Sequence, residues 1–112
     1  MTLLICGVWT AAGVAQAKTL AGHWEAEMSE EGRTFTFVFE FKPSGDRHTG
    51  TVELTTQDRT FPITEGRIAG DRVSFKGFGL WTGTWRGEEL ALTRELDGGK
   101  KQRMVARRIQ VK

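Results

Sequence analysis

One stretch, residues 33–56, decides the fold of this chain, and it reads RTFTFVFEFKPSGDRHTGTVELTT. Its four phenylalanines recur at every second position, the period of a strand with one buried face. The segment Ser44-Gly45-Asp46-Arg47 predicts a two-residue turn, because Gly-Asp favours a tight hairpin. Folding back about this turn fixes the pairs Phe41–Gly50, Phe39–Val52, Phe37–Leu54 and Phe35–Thr56.

Shorter runs of the same alternation flank this hairpin and predict further antiparallel strands. Gly66 separates two runs of opposite parity, which indicates a bulge that bends one strand. The facing of the last strand, about residues 101–110, stays open between two alternating sets. The remaining predicted pairs are Met28–Phe35, Trp24–Phe39, Leu54–Phe61, Val52–Ile63, Ile68–Val73, Phe75–Trp81 and Trp85–Leu90.

These runs amount to eight sequential strands with short connections and no helical period. We therefore predict an all-β fold, a small eight-stranded antiparallel up-and-down barrel, which closes its own edges. An open curved meander is the alternative, whereas a sandwich would need a long connection that is not visible. Because so many aromatic residues point inward, we expect the interior to be mostly filled.

The first residues have the composition of a leader rather than of the barrel. An apolar run is followed by Ala15-Gln16-Ala17, an A-x-A cleavage signature. We predict a signal peptide at 1–17, a single β-barrel domain at 18–112, and a periplasmic or secreted protein. The single cysteine, Cys6, falls in the leader, so no disulfide is expected. A lipoprotein is the lesser alternative, and the run is too short for a membrane span.

The charge is balanced overall but unevenly placed. The formal net charge of +2 is too small to indicate a polyanion partner by itself, and no nucleic acid is expected. A basic C-terminal strand contains Lys100, Lys101, Arg103, Arg107 and Arg108. It could contact an anionic envelope component such as lipid phosphates or acidic glycans, or it could be a charged sheet edge that discourages aggregation.

Gly22-His23-Trp24 on the first strand resembles the G-x-W signature of the calycins, the lipocalin, avidin and fatty-acid-binding barrels. The resemblance implies that Trp24 closes one end of the barrel and that Arg107 or Arg108 packs across it. A second resemblance is carried by ITEGRIAGDRVSF, residues 63–75, which is similar to small secreted bacterial β-domains of unassigned function. Those domains occur alone or appended to exported hydrolases, so the resemblance implies an exported barrel and supplies no activity.

The candidate ligand-binding residues are Trp81, Trp85, Arg94 and Arg103. Facing outward, the two tryptophans would form a platform for sugar rings, whereas the predicted pairing with Leu90 points them into the core. His23, Glu25 and Glu27 share one outward face and carry metal-ligand atoms, but a solvated strand face is the simpler interpretation. We expect no catalytic residue, no metal and no cofactor.

The expected function is an exported, non-catalytic binding or accessory module. It would hold a small molecule or glycan at a barrel mouth, or dock to an envelope component. A carbohydrate-binding module using Trp81 and Trp85 is one alternative. A small hydrolase-type enzyme at the open barrel end is another, although no Ser, His and acid constellation supports it.

Overall fold

The computed structural model describes residues 20–110, and the predicted leader, 1–17, lies outside them. Nearly every described residue belongs to a strand or a tight turn. The strands are β1 (Gly22–Glu30), β2 (Arg33–Ser44), β3 (Arg47–Leu54), β4 (Arg59–Pro62), β5 (Thr64–Ala69), β6 (Arg72–Lys76), β7 (Leu80–Arg86), β8 (Glu89–Glu95) and β9 (Lys101–Ile109).

The strands close into the predicted eight-stranded antiparallel barrel. Each strand pairs with its neighbours in sequence, and β9 returns to pair with β1. β4 and β5 are separated only by Ile63 and both pair with β3, so they form one bent strand of the eight. Closure leaves no long free sheet edge among the described strands, which favours the barrel over an open meander.

The register of the central hairpin is confirmed from Phe37 to Phe41. Phe41 lies opposite Gly50, Phe39 opposite Val52, and Ser44 opposite Arg47 across the predicted turn. The predicted pairs Met28–Phe35, Trp24–Phe39, Ile68–Val73, Phe75–Trp81 and Trp85–Leu90 are also present. In these hairpins the alternation of apolar residues and the residues of the turn indicate the same pairing. Their register therefore follows from the sequence.

Two predicted pairs around β4 are wrong by two residues. Phe61 lies opposite Val52 and not Leu54, and Leu54 lies opposite Arg59. The cause is a short 3₁₀ turn at Thr55–Gln57, which ends at Asp58 in a left-handed conformation and removes these residues from the ladder. For the same reason the predicted pair of Phe35 with Thr56 does not form.

The bulge predicted at Gly66 is present, with a register shift between Thr64 and Arg67. Gly66 is required there because a Cβ at this position would lie 2.2 Å from the His48 carbonyl oxygen. His48 shares the inward face of β3 with Val52 and Leu54, and its ring makes edge contacts with Phe41 and Phe75. The glycine thus allows β3 and β5 to approach closely at the corner.

The structure shows which side chains of the last strand, β9, point into the barrel. Gln102, Met104 and Ala106 point inward, whereas Val105 is 44% exposed on the outer surface. β9 pairs on one side with β8 and on the other with β1. Interpreting its positive charges as the guard of a sheet edge is therefore wrong.

Aromatic side chains fill the barrel interior. The ring of Trp81 lies 5.1 Å from that of Phe39, 5.5 Å from Phe37 and 5.8 Å from Phe75, measured between centroids. Gly83 makes room in the same layer, since a Cβ there would come within 2.8 Å of Leu92. The filled interior agrees with the expectation for eight short strands rich in aromatic residues.

Candidate functional site

One end of the barrel is covered by Trp24 and Arg108. Trp24 is fully buried, and its indole Nε1 donates a hydrogen bond to the Leu20 carbonyl at 3.1 Å. The Arg108 guanidinium carbon lies 4.4 Å from the indole centroid, in cation–π contact. Arg108 also donates to the Ala21 carbonyl at 2.7 Å. The predicted contact of Trp24 with an arginine of the last strand is thus confirmed for Arg108, whereas Arg107 pairs with Glu89.

The opposite end carries two stacked phenylalanine rings with an arginine on each side. The rings of Phe61 and Phe78 stack with centroids 4.5 Å apart. Arg59 lies over Phe61 at 5.1 Å, and Arg94 lies over Phe78 at 4.1 Å. We call these four residues the end stack. Phe78 and Arg94 of the end stack also border a pocket formed with the β6–β7 turn and residues 95–99.

Arg94 is further fixed by a chain of hydrogen bonds. Its Nε donates to the Phe78 carbonyl at 2.7 Å and its Nη1 to Gln102 Oε1 at 2.8 Å. Gln102 in turn donates to Glu30, which pairs with Lys100. The hydrogen bond from Lys100 lowers the pKa of the Glu30 carboxyl and keeps it charged. Two of the three guanidinium nitrogens of Arg94 therefore form hydrogen bonds within the fold.

The four predicted ligand-binding residues do not converge on one site. Trp81 is fully buried at the centre of the core, and Trp85 is half-buried near the end covered by Trp24. Arg94 belongs to the end stack, and Arg103 is exposed on the outer face of β9. A sugar platform of Trp81 and Trp85 is not present, since the indole of Trp81 cannot reach a ligand.

Arg103 instead borders a groove on the outer face of strands β5 to β9. The floor consists of short side chains, and three arginines, Arg67, Arg72 and Arg103, form the rim; we call this the arginine-rimmed groove. No acidic residue of the range 20–110 lines it. The lining side chains that point outward are Arg67, Ala69, Arg72, Ser74, Thr82, Thr84, Ala91, Thr93, Arg103 and Val105.

Strand register places part of this lining in a single row across the sheet. Arg67 lies opposite Ser74, Ser74 opposite Thr82, Thr82 opposite Thr93, and Thr93 opposite Arg103. An arginine therefore stands at each end of three consecutive hydroxyl side chains. The row crosses four strand spacings of about 4.8 Å, or roughly 19 Å in all.

The rim arginines have no acidic partner within the described part of the chain. Among residues 20–110, Arg67, Arg72 and Arg103 form no ion pair within 4.0 Å, whereas Lys100, Arg107 and Arg108 each pair with a glutamate. Guanidinium groups present a planar fork of donors that matches carboxylate, sulfate and phosphate oxygens. The arrangement can hold an anion without first breaking an ion pair.

Other chemistry-bearing side chains do not assemble into a site. His23 Nε2 lies 3.7 Å from Glu40 Oε2, and Glu25 and Glu27 are on the same outer face of β1 as His23. Within the described part of the chain, no group of three or more His, Cys, Asp or Glu side chains is placed to hold a metal. No helix in residues 20–110 is long and apolar enough to cross a membrane.

His48 is the one buried histidine of the described chain. Its Nε2 donates to the Ser74 carbonyl at 3.2 Å, and its Nδ1 has no hydrogen-bond partner. Burial lowers the pKa of His48 below its ordinary value of 6.5, and the hydrogen bond to Ser74 opposes this shift only in part. The folded barrel therefore favours the neutral form of the His48 imidazole.

We expect barrel stability to fall as the pH drops from 7 towards 5. Because the folded-state pKa of His48 is depressed, the unfolded chain takes up the proton first, below about pH 6.5. The contribution of the neutral His48 to the free energy of unfolding is complete above about pH 6.5. Below that pH it falls by up to about 1.4 kcal/mol per pH unit, until the folded-state pKa is reached. Urea midpoints measured between pH 5 and 7.5 give this slope.

His48→Gln removes the titrating group and leaves an amide donor for the Ser74 carbonyl, so the slope should flatten. The control His23→Gln replaces the half-exposed histidine on the outer face of β1, so comparing the two variants assigns the slope to one histidine or the other. An unchanged slope in His48→Gln would assign the pH dependence to another group.

Arg67 and Arg72 were missed as candidate site residues by reasoning from sequence. Their outward facing follows from the bulge at Gly66 and the pair Ile68–Val73. Their approach to Arg103 depends on the register of β9 against β8, which the sequence leaves open. No family model matches this chain, and neither does any curated protein.

Proposed function

We propose that this protein is an exported, non-catalytic binding module that holds an anionic ligand in the arginine-rimmed groove. The proposal rests on three exposed arginines, Arg67, Arg72 and Arg103. They surround a floor of short side chains to which no acidic residue of the described chain contributes. A surface of this kind attracts negative charge and offers several charge-assisted hydrogen bonds. The ligand class agrees with an acidic envelope component outside the cytoplasm.

Two features support an outer-face site over a site at a barrel mouth. Trp24 with Arg108 covers one end, and the end stack lies at the other. The space between them holds the aromatic core. A small hydrolase-type enzyme at an open end has no support from this arrangement.

We also propose a calycin-like ancestry for the barrel. Its support is the position of Trp24 in Gly22-His23-Trp24, with Arg108 of the last strand packed over the indole. This kinship concerns the architecture alone, because fold does not dictate function. It assigns no ligand, and the groove lies on the outside of the barrel.

Removing two rim arginines should abolish most anion binding. We expect the purified full chain to bind at least one of dextran sulfate, polygalacturonate and inorganic polyphosphate in calorimetry at low salt, and not neutral dextran. Arg67→Gln with Arg103→Gln should weaken this binding by roughly 100-fold, since hydrogen bonds to charged groups contribute about 1.5–3 kcal/mol each.

The matched control is Arg33→Gln with Lys42→Gln. Both side chains are exposed, form no ion pair within residues 20–110 and lie outside the groove. This pair removes the same charge and should change affinity by no more than about threefold if only screened long-range attraction is lost. Equal losses in the two double variants, or no binding to any of the three polyanions, would contradict the proposal.

A further inference from the structure

The geometry points to an extended acidic polysaccharide, lying across strands β5 to β9, as the ligand of the arginine-rimmed groove. This inference rests on the proposed function and adds the ligand class and its direction on the barrel. The row Arg67, Ser74, Thr82, Thr93, Arg103 runs perpendicular to the strands. A bound chain would follow that row, with an anionic group near each end.

The length of the row favours a long ligand. Arg67 and Arg103 lie four strand spacings apart, roughly 19 Å measured along the curved sheet. A single phosphate or a monosaccharide covers only part of this row. A chain of several units meets both ends at once, and the second contact then forms at a high effective concentration.

The hydroxyl groups between the arginines suit a ligand that is itself rich in hydroxyls. Ser74, Thr82 and Thr93 make no side-chain hydrogen bond to any other residue in the part of the chain that the structure describes, and Ser74 and Thr93 are half-buried. Each hydroxyl can donate one hydrogen bond and accept others. Sugar hydroxyls between two acidic groups would complete these bonds.

The same lining disfavours a nucleic acid. Single strands are held chiefly by bases stacked on aromatic side chains along a basic groove. Among the residues that the structure describes, none that lines the arginine-rimmed groove is aromatic. The small net charge of +2 also gives little of the long-range attraction on which binding to a phosphate backbone depends.

The test compares acidic oligomers of increasing length. We expect galacturonic acid and its trimer to bind weakly and its octamer at least 10-fold more tightly. Arg67→Gln and Arg103→Gln should each reduce octamer affinity by about 10-fold and leave trimer affinity within about threefold. A sulfated glucan octamer, run in parallel, distinguishes carboxylate from sulfate as the recognised group. An increase of affinity between trimer and octamer for either glycan supports the inference. Equal affinity per sugar unit at all lengths overturns it.

The hydroxyl row is tested separately by Thr82→Val, which keeps the shape and β-branching of the side chain. Octamer affinity should fall about two- to tenfold, in line with one lost hydrogen bond, whereas affinity for inorganic polyphosphate should not change. The control is Thr49→Val, on the outer face of β3 and outside the groove. Equal effects of the two substitutions would remove the hydroxyl row from the interface.

The outcomes separate this inference from the proposed function. Arginine-dependent binding of polyphosphate or oligo-dT that is as tight as the binding of the glycan octamers would overturn the polysaccharide and leave the anion-binding groove standing. Loss of arginine dependence for every polyanion would overturn both.

Discussion

Trp24→Ala should lower the free energy of unfolding by roughly 3–5 kcal/mol, the range for emptying a large buried aromatic site. Trp24 is fully buried, its Nε1 bonds the Leu20 carbonyl at 3.1 Å, and Arg108 covers its outer face at 4.4 Å. The substitution removes this packing where β1 meets β9. Urea unfolding followed by circular dichroism, with the slope unchanged, measures the loss.

Two variants separate the causes of this loss. Trp24→Phe keeps an aromatic ring beneath Arg108 and deletes only the indole hydrogen bond and part of the volume, so we expect an intermediate loss. Glu25→Ala alters the next, outward residue of the same strand and should stay within about 0.5 kcal/mol of wild type. A fully stable Trp24→Ala protein would show that this end of the barrel carries little of the folding energy.

Trp81→Ala should be similarly damaging, at roughly 3–5 kcal/mol, because three phenylalanine rings surround the indole and cannot collapse fully into the space. Trp81 is also tied by a 2.7 Å hydrogen bond from its Nε1 to the Gly77 carbonyl. The natural comparison is Trp85→Ala on the same strand. Trp85 is half-buried and bonds only the local Gly87 carbonyl, so its loss should be roughly 1–2 kcal/mol.

Iodide quenching provides an independent measurement of the same difference. Replacing Trp85 with phenylalanine should remove a quenchable part of the tryptophan emission, whereas replacing Trp81 should remove a blue-shifted part that iodide does not reach. Comparable quenching of both residues would contradict the inward position of Trp81.

The hairpin register was predictable wherever alternation and turn residues supported one another. In the central hairpin, a Gly-Asp turn and three inward phenylalanines, Phe37, Phe39 and Phe41, admit a single register. Between β3 and β4 the predicted register was off by two residues, which preserves parity. The left-handed Asp58 that closes the 3₁₀ turn is evident only once its hydrogen bond to the Thr55 carbonyl is seen.

The candidate site was less predictable than the fold, for a physical reason. A hairpin register involves two strands, whereas the row from Arg67 to Arg103 requires five strands to align together. The alternating sets of β9 gave no preference for one face, since Met104 and Val105 are both apolar. Sequence reasoning also gave weight to Trp81 as a binding residue because tryptophan suits both a core and a sugar platform.

The seam between β1 and β9 sets the order in which the barrel can assemble. Every other pairing joins strands that are neighbours in the chain, once β4 and β5 are counted as one bent strand. Here His23 to Ala26 pair with Ile109 to Ala106, residues from near the two ends of the described chain. Closing a loop of about 80 residues costs on the order of 4 kcal/mol in chain entropy. Local hairpins can form without this cost, so ring closure is the step that should limit the folding rate. Substitutions at Trp24 or Arg108 would then affect folding speed as well as stability, whereas those in the outer groove would affect neither.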